Sequence, residues 1–174
     1  MLRQISFAAA LIALALPAHA AGDKLVIQLK TGNVVIKLRP DLAPKHVERV
    51  VALAKKGFYD NVKFHRVLDG FMAQTGDPTG TGTGGSDLPD LKAEFTKEPY
   101  KRGTVGAART ADPDTANSQF FICFNDTGCS GLTGKYTVWG EVVEGMDNVD
   151  KITRVEPGAR SLEEPDVMKK VTVQ

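Results

Sequence analysis

The 174-residue sequence predicts a mainly β domain, a sandwich or closed barrel, behind a short amino-terminal export signal. Three observations carry that prediction. Short apolar runs separated by turn residues fill the chain after Gly57. Seventeen glycines and nine prolines crowd a chain of this length, and many fall between Gly70 and Gly106. Only one stretch, Asp41 to Lys56, sustains a helical period over several turns.

Arg3 supplies a positive start, and Ile5 to Leu16 is almost wholly apolar over about 12 residues. Pro17 breaks the run, and Ala18-His19-Ala20 has the A-x-A pattern read by signal peptidase. Residues 1–20 therefore read as a cleaved signal and 21–174 as one domain. The run is short of the ~20 residues a spanning helix needs. The expected product is periplasmic. Export also permits disulfides. Cys123 and Cys129 are close enough in sequence to pair, closing a loop worth roughly 2 kcal/mol. The alternative is a buried Cys123 on a strand and an unrelated Cys129 in a loop.

Leu25, Ile27 and Leu29 share one face of a strand, Thr31-Gly32-Asn33 signals a turn, and Val34 to Leu38 continues the alternation, giving an antiparallel hairpin. In the helix, Pro44 suits the first turn and Gly57 the position after the end. Val47, Val50, Val51 and Ala54 form its apolar stripe. His46 reads as a structural or surface residue. Further strands are expected at Val62–Val67, Phe71–Thr75, Thr104–Ala108, Gln119–Phe124, Thr137–Val143 and Val167–Val173. Met146, Val149 and Ile152 mark a second, short helix.

Several chemistries find no support. The formal net charge is +1, and losing Arg3 with the signal leaves it near zero, with no electrostatic case for nucleic acid or an anionic membrane as partner. Gly80-Thr81-Gly82-Thr83-Gly84-Gly85 matches the G-x-G-x-x-G pattern, but Pro89 follows where a phosphate-binding helix would have to begin, so it reads as a flexible surface loop. His46, His65 and the two cysteines match no common zinc spacing. No G-x-S-x-G is present, and no serine is marked as a nucleophile. No cofactor or metal is expected.

Four motifs remain. The first is Phe64-His65-Arg66-Val67 with Gly70-Phe71-Met72-x-Gln74-x-Gly76-Asp77. The second is Gly103-Thr104-Val105-Gly106-Ala107-Ala108-Arg109. The third is Asn117-Ser118-Gln119-Phe120-Phe121-Ile122. The fourth joins Leu132-x-Gly134-Lys135-Tyr136 to Val138-x-Gly140-Glu141-Val142-Val143-Glu144-Gly145-Met146. In this order, across Leu25 to Val173, they closely resemble the cyclophilin family of peptidyl-prolyl cis-trans isomerases. The resemblance implies a closed eight-stranded antiparallel barrel with a helix at each end. It implies a cofactor-free rotamase that turns X–Pro peptide bonds and here assists the folding of exported proteins.

The resemblance also distributes roles. Arg66 is the catalytic cation, aimed at the prolyl nitrogen. Phe71, Met72, Phe121 and Leu132 hold the proline ring. Gln74 bonds the neighbouring backbone and orients Arg66. Ala108 and Arg109 engage the residues before the proline, Gln119 lines the same groove, and His65 and Tyr136 sit at its edge. Read without the resemblance, the same apolar residues would be core. Period two places Phe120 and Phe121 on opposite faces; the resemblance assigns Phe120 to the interior and Phe121 to the groove.

Three positions depart from the usual pattern. Gly131 stands where many relatives carry an aromatic residue, Tyr136 where many have His, and Arg109 where many have Asn. Weak binding of the inhibitor cyclosporin follows from Gly131. Substrates are proline-containing polypeptides, and the expected state is a monomer. Two other classes compete: a proline-peptide binding module or holdase without turnover, and a barrel storing a small apolar ligand. The intact Arg66 disfavours the former, and bulky Phe120, Ile122 and Trp139 disfavour the latter.

Overall fold

The computed structural model describes residues 22–155 and 164–174, so the expected signal at 1–20 lies outside the described residues. Within them the order is β1 (Lys24–Leu29), β2 (Gly32–Leu38), α1 (Pro44–Lys55), β3 (Val62–Lys63), β4 (Arg66–Leu68), β5 (Met72–Thr75), β6 (Thr104–Ala107) and β7 (Phe120–Cys123). A 3-10 turn at Ser130–Leu132 follows, then β8 (Val138–Glu144), α2 (Met146–Asp150), β9 (Val167–Met168) and β10 (Lys170–Val173).

The first hairpin turns at Lys30 and Thr31, with Leu29 paired to Gly32. Gly32 has φ +134°, a conformation that favours glycine. The turn is thus one residue earlier than Thr31-Gly32-Asn33 implies. The helices are also shorter than their apolar patterns: α1 begins at Pro44 rather than Asp41, and α2 ends at Asp150 rather than Ile152. On α1 the buried residues are His46, Val47, Val50, Leu53 and Ala54. Ala43, before the helix, offers no side-chain cap. Glu94 supplies one from a distant loop, its carboxylate accepting the N–H groups of Lys45 (3.2 Å) and His46 (3.1 Å). The same carboxylate lies 2.6 Å from Nδ1 of His46, which is buried.

Eight strands form one antiparallel sheet in the order β10-β1-β2-β8-β6-β7-β5-β4, and β3 pairs with β9 in a separate ribbon. The barrel is not closed by strand pairing: β10 and β4 are the two ends of the sheet. The carboxy-terminal segment lies across this seam. Val67 and Val155 exchange two backbone hydrogen bonds (2.8 and 2.9 Å). Phe64 N–H donates to the carbonyl of Asp166, just ahead of β4, while Lys169 N–H donates to Gln28 and extends the pairing of β10 with β1. These isolated bonds satisfy edge groups that a continuous ladder would otherwise pair.

The register separates two faces. Val67, Ala73, Ile122 and Val105 lie in one row across β4, β5, β7 and β6, and all are buried in the main core. Phe120, Ile122 and Trp139 are each 1% exposed, and Phe120 meets Trp139 edge-on at 5.3 Å. The interior is filled by side chains, as the bulky residues predicted. Each such side chain contributes roughly 1.5–3 kcal/mol by burial.

Candidate active site

The adjacent row carries the chemistry. Arg66 on β4 opposes Gln74 on β5, Gln74 opposes Phe121 on β7, and Phe121 opposes Gly106 on β6. Directly opposed residues of antiparallel strands project to the same side. Four residues far apart in sequence are thereby set in a line on the outer face. Met72, next along β5 on that face, opposes Leu68 and Cys123.

These side chains line a cavity of about 210 Å³, walled by Arg66, Phe71, Met72, Gln74, Ala108, Arg109, Phe121, Leu132 and Tyr136. A larger one, about 470 Å³, adjoins it and shares Gln74, Ala108 and Arg109; Gln119 and the loop Gly82–Ser86 complete much of its wall. The floor of the small cavity is tightly built. Phe121 stacks on Tyr100 (5.7 Å between centroids) and meets Tyr136 edge-on at 5.9 Å. Gly106 is required there, because a Cβ would strike the Tyr100 hydroxyl and come within 2.7 Å of the Phe121 ring. Cys123 and Cys129 form a disulfide beneath the same cluster, both fully buried. It ties the end of β7 to the turn that carries Leu132.

Arg66 is half-buried. One guanidinium nitrogen lies 3.4 Å from Oε1 of Gln74, and the group sits 5.9 Å from the Phe71 ring centre. Among the described residues no carboxylate partners it. A cation beside the rings and side chains of this cavity, held by a neutral amide, keeps its charge available to whatever enters. Gln74 Nε2 in turn donates to Gln119 Oε1 at 2.9 Å.

Arg109 is used differently. Its guanidinium lies between two rings, 4.3 Å from Tyr136 and 5.7 Å from Phe95, and donates to the carbonyls of Lys135 and Thr110. Its side chain braces the wall, and its charge is shared among backbone acceptors. His65, expected at the groove edge, lines neither cavity. Its ring lies against Gly82, and burial holds its pKa below the usual imidazole value despite the nearby Asp77 carboxylate. Sequence reasoning passed over Tyr100, Asn117 and Asp77. Asn117 lies in a quoted motif; its amide bonds Ser86, Leu88 and Asp90 and so shapes the large cavity. Tyr100 carries no sequence signal.

A family model described as cyclophilin type peptidyl-prolyl cis-trans isomerase/CLD matches residues 24–173. The chain belongs to the cyclophilin family. This cyclophilin is a peptidyl-prolyl cis-trans isomerase. It is 48% identical over 193 aligned residues to a probable peptidyl-prolyl cis-trans isomerase of Brucella suis, covering 99% of this chain and 96% of that one. It is 44% identical over 130 residues to the Helicobacter pylori peptidyl-prolyl cis-trans isomerase, covering 72% of this chain and 77% of that one. Among solved structures, the Hirschia baltica cyclophilin AquaCyp293 matches with a TM-score of 0.77 at 27% identity, over 88% of this chain and 74% of that chain. A Cryptosporidium parvum cyclophilin type isomerase, crystallised in the presence of the dipeptide Ala-Pro, matches with a TM-score of 0.76 at 28% identity, over 87% of this chain and 98% of that chain. In this cyclophilin residues of all four motifs thus meet around one pair of adjoining cavities.

Proposed function

We propose that Arg66 is the electrostatic catalyst of X–Pro rotation and that the isomerase serves exported proteins. The observation carrying the first part is the placement of the Arg66 guanidinium, without a carboxylate partner among the described residues, on the rim of a small cavity whose apolar walls are Phe71, Met72, Phe121 and Leu132.

Amide resonance sets a rotation barrier of ~18–20 kcal/mol. In the planar states the prolyl nitrogen shares its lone pair with the carbonyl. At the twisted transition state that lone pair is localised on nitrogen, and a donor aimed at it binds the twisted state better than either planar one. Arg66 supplies that donor. The proline ring rests among Phe71, Met72, Phe121 and Leu132, and the preceding residues lie toward Ala108, Arg109 and Gln119 in the larger cavity. The relative crystallised in the presence of Ala-Pro supports proline-containing peptides as substrates. One charge-assisted hydrogen bond contributes about 1.5–3 kcal/mol, so ring anchoring and backbone clamping provide the remainder of a ~10⁶-fold acceleration, which needs about 8 kcal/mol.

Arg66→Ala is expected to lower kcat/KM for a short X–Pro peptide by ~10²–10³, as when a transition-state donor is removed. A loss below tenfold would remove Arg66 from this role. Export is supported by the Arg3, Ile5–Leu16 and Ala18-His19-Ala20 pattern and fits the Cys123–Cys129 disulfide, which persists in an oxidising compartment. Cell fractionation, with the mature amino terminus sequenced, tests cleavage after Ala20. A side chain at Gly131 would meet open space, so the aromatic contact found there in many relatives is missing and cyclosporin binding is weak.

A further inference from the structure

The loop Gly80–Gly85 is not the featureless surface loop its composition implies. Its amides converge on Asp77, which is fully buried. Asp77 Oδ1 accepts the N–H (2.8 Å) and hydroxyl (2.7 Å) of Thr79, while Oδ2 accepts the N–H groups of Thr81 (3.1 Å), Gly82 (2.6 Å) and Gly84 (3.0 Å). Gly84 must be glycine, because a Cβ would collide with this carboxylate. Gly82 has φ +88°. The two glycines also face the other way. Their carbonyls both accept from Gln119 Nε2, at 3.0 and 2.8 Å.

The bonds therefore form one directed series. Arg66 donates to Gln74, Gln74 to Gln119, Gln119 to Gly82 and Gly84, and those glycine amides to Asp77. A cation stands at one end and a carboxylate at the other. Each amide has a single orientation that satisfies both neighbours, and reversing either glutamine would set donor against donor or oxygen against oxygen. We propose that Asp77 is a positioning residue for the reaction: by gathering the loop amides it presents the two glycine carbonyls that orient Gln119, and through Gln74 it fixes the Arg66 guanidinium. Burial pushes the Asp77 carboxyl up, but the hydrogen bonds from Thr79, Gly84 and Gly82 outweigh this and hold it at about 2, so it is an anion throughout the neutral range.

The inference rests on Arg66 being the catalytic cation, and the test separates the two. Isomerisation of an X–Pro peptide is measured for the wild type, Arg66→Ala, Asp77→Asn, Gln119→Leu and the Asp77→Asn/Gln119→Leu double variant, with thermal melts of each. Asp77→Asn keeps one acceptor oxygen and loses the other. The expected result is about a tenfold loss in kcat for Asp77→Asn with KM little changed, and a loss under twofold when it is added to Gln119→Leu, since coupled residues do not act additively. An unchanged rate, or a full tenfold loss in the Gln119→Leu background, overturns the proposal. Arg66→Ala at near wild-type rate would instead overturn the reading beneath it. Should Asp77→Asn not fold, hydrogen exchange of the wild type decides: protected Gly82 and Gly84 amides support the series, and free-loop rates overturn it.

Discussion

Phe120 and Phe121 are identical side chains one residue apart, and the pleat sends them to different tasks. Phe120 packs against Tyr59 and Trp139 in the sealed interior, whereas Phe121 lies on the outer face against Tyr100 and Tyr136 and forms the cavity floor. Replacing either by Leu roughly conserves volume and costs about 1–2 kcal/mol of stability. The functional outcomes divide. Phe120→Leu is expected to leave kcat/KM within about threefold. Phe121→Leu, which removes a flat ring from a binding pocket, is expected to lower it by about tenfold or more. Equal losses in the two variants would show that the faces are not separated as described. The alternation itself was legible at Asn117–Ile122; which face is the outside needs the family resemblance or the fold.

Elements in this fold are completed by residues from elsewhere. Helix α1 has no side-chain cap of its own and takes one from Glu94. The turn bearing Leu132 is tied to β7 by the Cys123–Cys129 bond, and Asn125 extends its amide to the carbonyl of Gly70 across the same corner. Breaking the disulfide with Cys129→Ser removes a short cross-link worth roughly 2 kcal/mol. For a domain of this size that lowers Tm by about 4–8 °C. Calorimetry of the variant beside the reduced wild type checks this. A Tm unchanged in both would show the loop is held by its packing alone. The pairing was one of two readings open from spacing. The structure chooses it because β7 ends beside the loop, with the two Cα atoms 6.1 Å apart.

The whole molecule should be sensitive to mild acid. Burial holds the pKa of His46 below its usual value, with Glu94 only partly opposing, and burial does the same for His65. An unfolded chain therefore binds protons at these imidazoles more readily than the folded one. Stability is fully present above the ordinary imidazole pKa of ~6.5 and is lost as pH falls below it. Glu94 adds to the loss at lower pH. Burial raises its carboxyl, but the bonds from His46 and the helix amides outweigh that and depress it, so its contribution fades as it protonates. Melting temperature is expected to decline from pH 7 to pH 5, and His46→Gln should flatten part of that decline. A flat profile in the wild type would show both imidazoles protonate freely in the fold.

The amino-acid order by itself determined most strands, the long helix, the cavity-lining motifs and the family. Each is written in local periodicity or in contiguous words of sequence, such as Phe71-Met72-x-Gln74. The expected runs Val62–Val67 and Val167–Val173, however, each divide between the two sheets, as β3 and β4 and as β9 and β10. The tertiary structure decided what depends on approach between distant segments. It left the sheet unclosed between β10 and β4, with Val155 and Asp166 bonding Val67 and Phe64 at the β4 end. It turned His65 under the Gly82 loop and placed Tyr100 beneath Phe121. It also turned the amides of a glycine-threonine run inward onto Asp77. A lone acid ahead of small residues is a turn signal, yet a string of letters does not say whether free amides will find water, a ligand or a carboxylate of the same chain. That choice is made by burial, because an amide removed from water must find its partner among the groups folding brings to it.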